Sequence, residues 1–161
     1  MRRMTEEEIR AALSRANWAS ICTVGPDMGP YAVEATYFMD DQARVCFMIN
    51  PRGTTAKNVG QNTKTLVKIT LATPELDHWL GVSCFGQGRV ETDPGIIARG
   101  WEQLGRVMGC DYSAAAEKFA APGKRSPMLT VAVEAMTGRC SYKKNEAIEF
   151  GHWPEINTHI P

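Results

Sequence analysis

Residues 65–91 read TLVKITLATPELDHWLGVSCFGQGRVE. The first seven, Thr65–Leu71, are apolar and β-branched and predict one strand. Trp79–Glu91 predict a second, long strand carrying Gly81, Gly86 and Gly88, bends of the kind that close a barrel. Upstream, Ser20–Val24 (SICTV), Tyr31–Met39 (YAVEATYFM) and Arg44–Ile49 (RVCFMI) predict three more strands. The short turns GPDMG (25–29) and Asp40–Asp41 join them, so they read as an antiparallel meander. Downstream, Met128–Met136 (MLTVAVEAM) predicts a sixth strand, and Ala147–Phe150 is a candidate edge strand.

Helical signals flank these strands. Thr5 and Glu8 form a capping box ahead of Ile9, Ala12, Leu13 and Ala16, giving a helix that ends near Asn17. Thr54–Gln61 reads as one or two helical turns. Asp93 as N-cap and Pro94 at the first helical position open another helix, in which Ile97, Trp101, Leu104 and Met108 recur up to Gly109. Ser113–Phe119 is a shorter one. Strands do not alternate with helices as a parallel sheet would require, so the expectation is one mainly β domain over residues 1–161, a small antiparallel barrel decorated by helices.

Composition narrows the function. Hydrophobic residues make up 43% and charged residues 22% of the 161, which excludes a disordered chain. Eighteen Lys and Arg balance eighteen Asp and Glu, so no overall field gathers nucleic acid or an acidic membrane surface. No apolar run approaches the ~20 residues of a membrane helix, and MRRMTEEEIR places charge where a signal peptide is apolar. A cytoplasmic protein is expected. Cys22, Cys46, Cys84, Cys110 and Cys140 are odd in number and never form C-x-x-C, so neither a disulfide framework nor a metal site is expected.

The chemistry-bearing segment is RVCFMINPRGTTAKNV, residues 44–59. Arg52, Gly53, Thr54, Thr55 and Lys57 stand at a predicted helix start, where unpaired backbone N–H groups and the helix dipole favour an anion. A glycine, two hydroxyls and two cations there can cradle a phosphate. The plainer alternative is that Thr54 caps a surface helix and both cations are solvated. The Walker pattern G-x-x-x-x-G-K is missing.

The succession GPDMGPYAVEATYFMDD, RVCFMINPRGTTAKNVGQN, TLVKITL and FGQGRVE resembles the flavin-binding split-barrel family related to pyridoxamine phosphate oxidase. The resemblance runs from Ser20 to Glu91 and implies a six-stranded antiparallel split β-barrel with flanking helices. It further implies a homodimer with FMN at the subunit interface and its phosphate held by Arg52–Lys57. Met48, Ile49 and Asn50, together with Glu34, Ala35 and Thr36, match flavin-lining stretches. At two positions where the oxidases carry basic residues this chain has Val33 and Phe38. Thr54, Thr55 and Ala56 stand where those enzymes have Ser-Arg-Lys, which leaves Lys57 as the nearest cation. The tail FGHWPEINTHIP lacks the oxidases' Trp and Arg signature, so vitamin B6 chemistry is not expected.

Within that resemblance the nearest function is that of small flavoproteins such as the nitroimidazole-resistance reductases. A reduced nicotinamide would donate electrons through FMN to a small aromatic or nitroaromatic acceptor. Tyr31, Tyr37, His78, Trp79 and Trp153 are candidate pocket walls, with His78, Trp79 and Trp153 nearest the substrate, although aromatics equally fill cores and interfaces. His152 and His159 keep a second reading open, a non-catalytic flavin- or haem-binding module, because related barrels ligate haem through histidine.

Overall fold

The computed structural model describes residues 1–121 and 123–150. Its elements in chain order are β1 (Arg2–Arg3), α1 (Glu6–Arg15), β2 (Trp18–Val24), β3 (Pro30–Met39), β4 (Val45–Met48), α2 (Thr54–Gln61), β5 (Lys64–Ala72), β6 (Trp79–Val90), α3 (Pro94–Met108), α4 (Ser113–Ala120) and β7 (Met128–Cys140). The strands are hydrogen-bonded in the order β1-β7-β4-β3-β2-β5-β6, and β6 returns to β7. Six antiparallel strands therefore close a barrel, with β1 as an extra edge.

Alternation builds the interior. Ala19, Ile21 and Thr23 of β2, Thr65, Val67 and Ile69 of β5, and Leu80, Val82 and Cys84 of β6 all point inward and are buried. Tyr37 and Phe47, paired across β3 and β4 with ring centroids 6.1 Å apart, fill the centre. Closure depends on Gly86, where the β6–β7 register shifts. A Cβ there would collide with the Ala132 carbonyl, so only glycine fits the bulge.

Helices cover part of the outside. Phe38, Cys46 and Met128 face outward beneath Ile97 and Leu104 of α3, forming a second apolar cluster. The Asp93 carboxylate accepts from the Ile96 N–H at 2.9 Å and starts α3, and Gly109 ends it at φ +64°. Cys46, Cys84 and Cys140 are buried small apolar residues, Cys22 is half-buried and Cys110 exposed. Among the described residues no helix is long and apolar enough to cross a membrane.

Three elements differ from expectation. The last strand continues past Met136 to Cys140, because β6 offers it partners as far as Leu80. Ala147–Phe150 is not a strand. Ile148 and Phe150 pack against the core instead, and the Arg15 guanidinium lies 5.4 Å from the Phe150 ring centroid. The edge position is taken by β1, which pairs Arg2 with Cys140 and Arg3 with Arg139.

The N-terminus is clamped by charge. Thr5 and Glu8 complete the capping box, and the same Glu8 carboxylate accepts from Arg2 at 2.6 and 2.8 Å. The Arg2 hydrogen bonds, against an opposing effect of partial burial, hold the Glu8 carboxyl below its ordinary range. A carboxylate depressed in the fold stabilises fully above its unfolded value, and that contribution is lost as pH falls through the lower folded value. Glu8→Gln is expected to lose about 1–2 kcal/mol near neutral pH in urea unfolding. The difference should shrink below about pH 4, and one that persisted undiminished at lower pH would rule out this origin.

Candidate functional site

Past β4 the chain turns sharply. The Asn50 side-chain oxygen accepts from the Arg52 N–H at 3.0 Å, and the Asn50 carbonyl accepts from the Gly53 N–H at 2.9 Å. A Cβ on Gly53 would lie 3.1 Å from the Asn50 carbonyl oxygen, so the turn is closed tightly around it. Gly53 is also the N-cap of α2, and no side chain caps the helix. The Lys57 N–H closes the first turn on the Gly53 carbonyl at 3.2 Å, and the first turn carries no acidic residue. Backbone donors of Thr54, Thr55 and Ala56 thus stand at the positive end of a helix with no capping group before them.

The helix has two faces. Thr55, Asn58 and Val59 are buried, and the Asn58 amide donates to the Thr23 hydroxyl at 3.0 Å, pinning α2 to β2. Thr54 and Lys57, three residues apart on one side, are exposed, as are Asn50 and Arg52. Sequence alone weights the two threonines equally. The fold turns Thr54 outward and leaves Thr55 only 5% exposed.

The second predicted stretch lies alongside. Tyr37 pairs with Phe47, so the register carries Thr36 toward Met48 at the end of β4. Thr36 and Met48 are half-buried, and Ala35 and Ile49 pack against the main core. The Ile49 N–H donates to the Pro127 carbonyl at 2.6 Å. Glu34 is exposed, and its carboxylate accepts from the Ser20 hydroxyl on β2. Val33 and Phe38 are absorbed into the two apolar clusters, which leaves no room there for cations.

The aromatic candidates separate. Tyr37 is core, its hydroxyl donating to the Leu13 carbonyl at 2.7 Å. His78 and Trp79 sit at the β5–β6 turn. His78 Nδ1 is 3.2 Å from the Asp77 carboxylate, its ring centroid is 4.9 Å from that of Tyr142, and the Trp79 N–H donates to Ser141 at 3.0 Å. Hydrogen bonds from Thr73 and His78 hold the Asp77 carboxyl low. The α2 end of β5 is Thr65, which meets Gly88 beside Val59. Seven residue steps of β5 separate Thr65 from Ala72, the cross-strand partner of Trp79, roughly 23 Å at about 3.3 Å per residue. Within one chain, His78 and Trp79 are therefore remote from the α2 turn. Trp153, His152 and His159 lie outside the described residues.

One feature escapes a reading of single strands. Ala135, Phe85, Leu66, Cys22 and Ala32 are successive cross-strand partners on the outer faces of β7, β6, β5, β2 and β3. They form an apolar row across the sheet, with Phe85 46% exposed. A groove of about 520 Å³ runs there, with Tyr31 and Pro30 at one side and Lys64, Gln87 and Glu134 at its rim. Outward alternation in each strand was its only sequence signal.

The sequence profile of the family described as pyridoxamine 5'-phosphate oxidase matches residues 5–140. No curated protein matches the chain. Among solved structures, a candidate 5-nitroimidazole antibiotic resistance protein from Bacteroides thetaiotaomicron superposes with TM-score 0.70 at 13% identity, covering 86% of each chain. A FAD-binding protein from Mesorhizobium loti gives TM-score 0.64 at 17% identity, covering 86% of this chain and 95% of its own. The heme storage protein HutZ from Vibrio cholerae gives 0.62 at 13% identity, covering 81% of this chain and 92% of its own. At these identities the likeness is one of fold.

Proposed function

The chain belongs to the pyridoxamine 5'-phosphate oxidase family, and from that premise we propose that it is an FMN-dependent oxidoreductase taking electrons from a reduced nicotinamide to a small aromatic or nitroaromatic acceptor. The observation that carries the cofactor assignment is the uncapped, acid-free first turn of α2, with Thr54, Lys57 and Arg52 exposed around it. These groups fit a phosphate dianion, since backbone N–H donors, a hydroxyl and two cations can share its oxygens. Gly53 lets the backbone approach, and Asn58 fixes the helix against β2. Met48, Asn50, Glu34 and Thr36 supply a half-apolar strip against which a planar ring could lie, with Ala35 and Ile49 behind it in the core. Bound FMN supplies the redox chemistry itself.

The protein would act as a homodimer. An apolar row open across five strands is the kind of surface a second copy covers in a two-fold assembly. His78 and Trp79 then contribute to a substrate wall only across the subunit boundary, because within one chain they stand at the far end of β5.

Protein purified without added cofactor should be yellow, release FMN identifiable by mass, and be bleached anaerobically by NADH or NADPH. Reoxidation by a nitroaromatic should outpace reoxidation by oxygen alone. Bound flavin that neither nucleotide reduces would make the protein a binding module. A haem spectrum, or a colourless chain that takes up no FMN, would sink the cofactor assignment.

A further inference from the structure

β2 begins with a tryptophan that the fold leaves on the surface. Alternation turns Ala19, Ile21 and Thr23 inward and Trp18 outward, where 37% of it is exposed. Among the described residues no aromatic ring packs on its indole. The core therefore does not account for it, and its neighbours across the sheet do.

Trp18 pairs directly with Thr36 of β3, the register carries Thr36 toward Met48 of β4, and Met48 pairs with Met128 of β7. The four side chains form one row on the outer face. Exposure falls along it: Trp18 is open, Thr36 and Met48 are half-buried, and Met128 is 1% exposed. The covered end lies beneath α3, where a Cβ on Gly100 would come within 2.8 Å of both the Met128 sulfur and the Met48 methyl. Glycine weakens a helix interior, and here it lets α3 settle on the two thioethers. The helix thus closes the row at β7. At the open side the indole stands two strand spacings from Met48, roughly 10 Å.

We propose that Trp18 contacts the planar ring of the flavin, as the side wall of the strip whose floor is Thr36 and Met48. The assignment rests on the flavin reading above and adds to it a residue on a third strand. An indole standing out of the sheet beside a half-apolar floor offers a large, rigid surface to a flat heteroaromatic ring and keeps water from one side of it. Trp18 takes no part in the α2 turn. Thr23, to which α2 is anchored, lies five residues further along β2, roughly 17 Å. The indole therefore acts on the ring and not on the phosphate.

Titration of the apoprotein with FMN and with riboflavin, followed by flavin fluorescence, tests this. Trp18→Ala should weaken both flavins about tenfold and by the same factor, so that their affinity ratio stays that of the wild type. Trp18→Leu, which keeps an apolar side chain for the fold, should lose affinity as well, and Trp18→Phe should recover most of it. Val107→Ala, at a position of α3 that is also 37% exposed, should change neither. Unchanged riboflavin affinity in the alanine and leucine variants, in a chain that still binds FMN, would overturn the role of Trp18 and leave the cofactor reading standing. A wild-type chain that binds neither flavin would overturn both. A Trp18→Ala variant that loses self-association but keeps its riboflavin affinity would assign the indole to a subunit contact and end the proposal.

Discussion

Replacing Thr54 and Lys57 together by alanine is expected to weaken FMN binding by about 2–4 kcal/mol, roughly 30- to 1,000-fold. Each change removes one group that can donate to a phosphate, and Lys57 brings the charge that makes its bond strong. Both residues are exposed and lie on the face of α2 away from Asn58 and Val59, so the barrel should unfold at an unchanged temperature. Thr55→Ala is the instructive contrast. That residue is buried beside the α2–β2 anchor, and its loss would mix packing with binding. Fluorescence titration of the apoprotein with FMN and with riboflavin separates the terms. The double variant should lose most of its preference for FMN over riboflavin, the remainder being kept by Arg52 and the backbone N–H groups of the turn. Undiminished discrimination against riboflavin would place the phosphate elsewhere.

Phe85→Glu is expected to abolish self-association. Phe85 lies in the apolar row between Ala135 and Leu66, and 46% of it faces solvent in a single chain. A central aromatic in an interface typically contributes at least about 2 kcal/mol. A two-fold axis counts the change twice, so the dimer constant should weaken by roughly 1,000-fold or more. The monomer itself should fold normally, because a carboxylate there points into water. Sedimentation velocity would show half the mass, and FMN retention should fall with it if the flavin site is shared between copies. A variant that stays dimeric would remove this face from the interface. Wild-type chain that is monomeric yet holds FMN would remove the dimer from the function.

Much of this could be read along the chain. The capping box at Thr5 and Glu8, the Asp93 cap, the spacing of Ile97 and Leu104, and the strand runs all depend on neighbours within a few residues, and each is present. The turn at Asn50–Gly53 is equally local. What could not be read depends on register. A two-residue strand at Arg2–Arg3 carries no periodicity and exists only because β7 runs far enough to receive it. The same apolar character that marked Ala147–Phe150 as an edge strand is satisfied by packing on the core.

The candidate sites divide the same way. That a glycine, two threonines and two cations open a helix after an apolar strand is legible in consecutive residues, which folding cannot separate. That Thr54 faces out and Thr55 in, that His78 and Trp79 stand most of a strand's length away, and that Arg3 lies opposite Arg139 are consequences of the fold. Those facts follow from barrel closure, which sets the cross-strand register and so places residues far apart in the chain side by side.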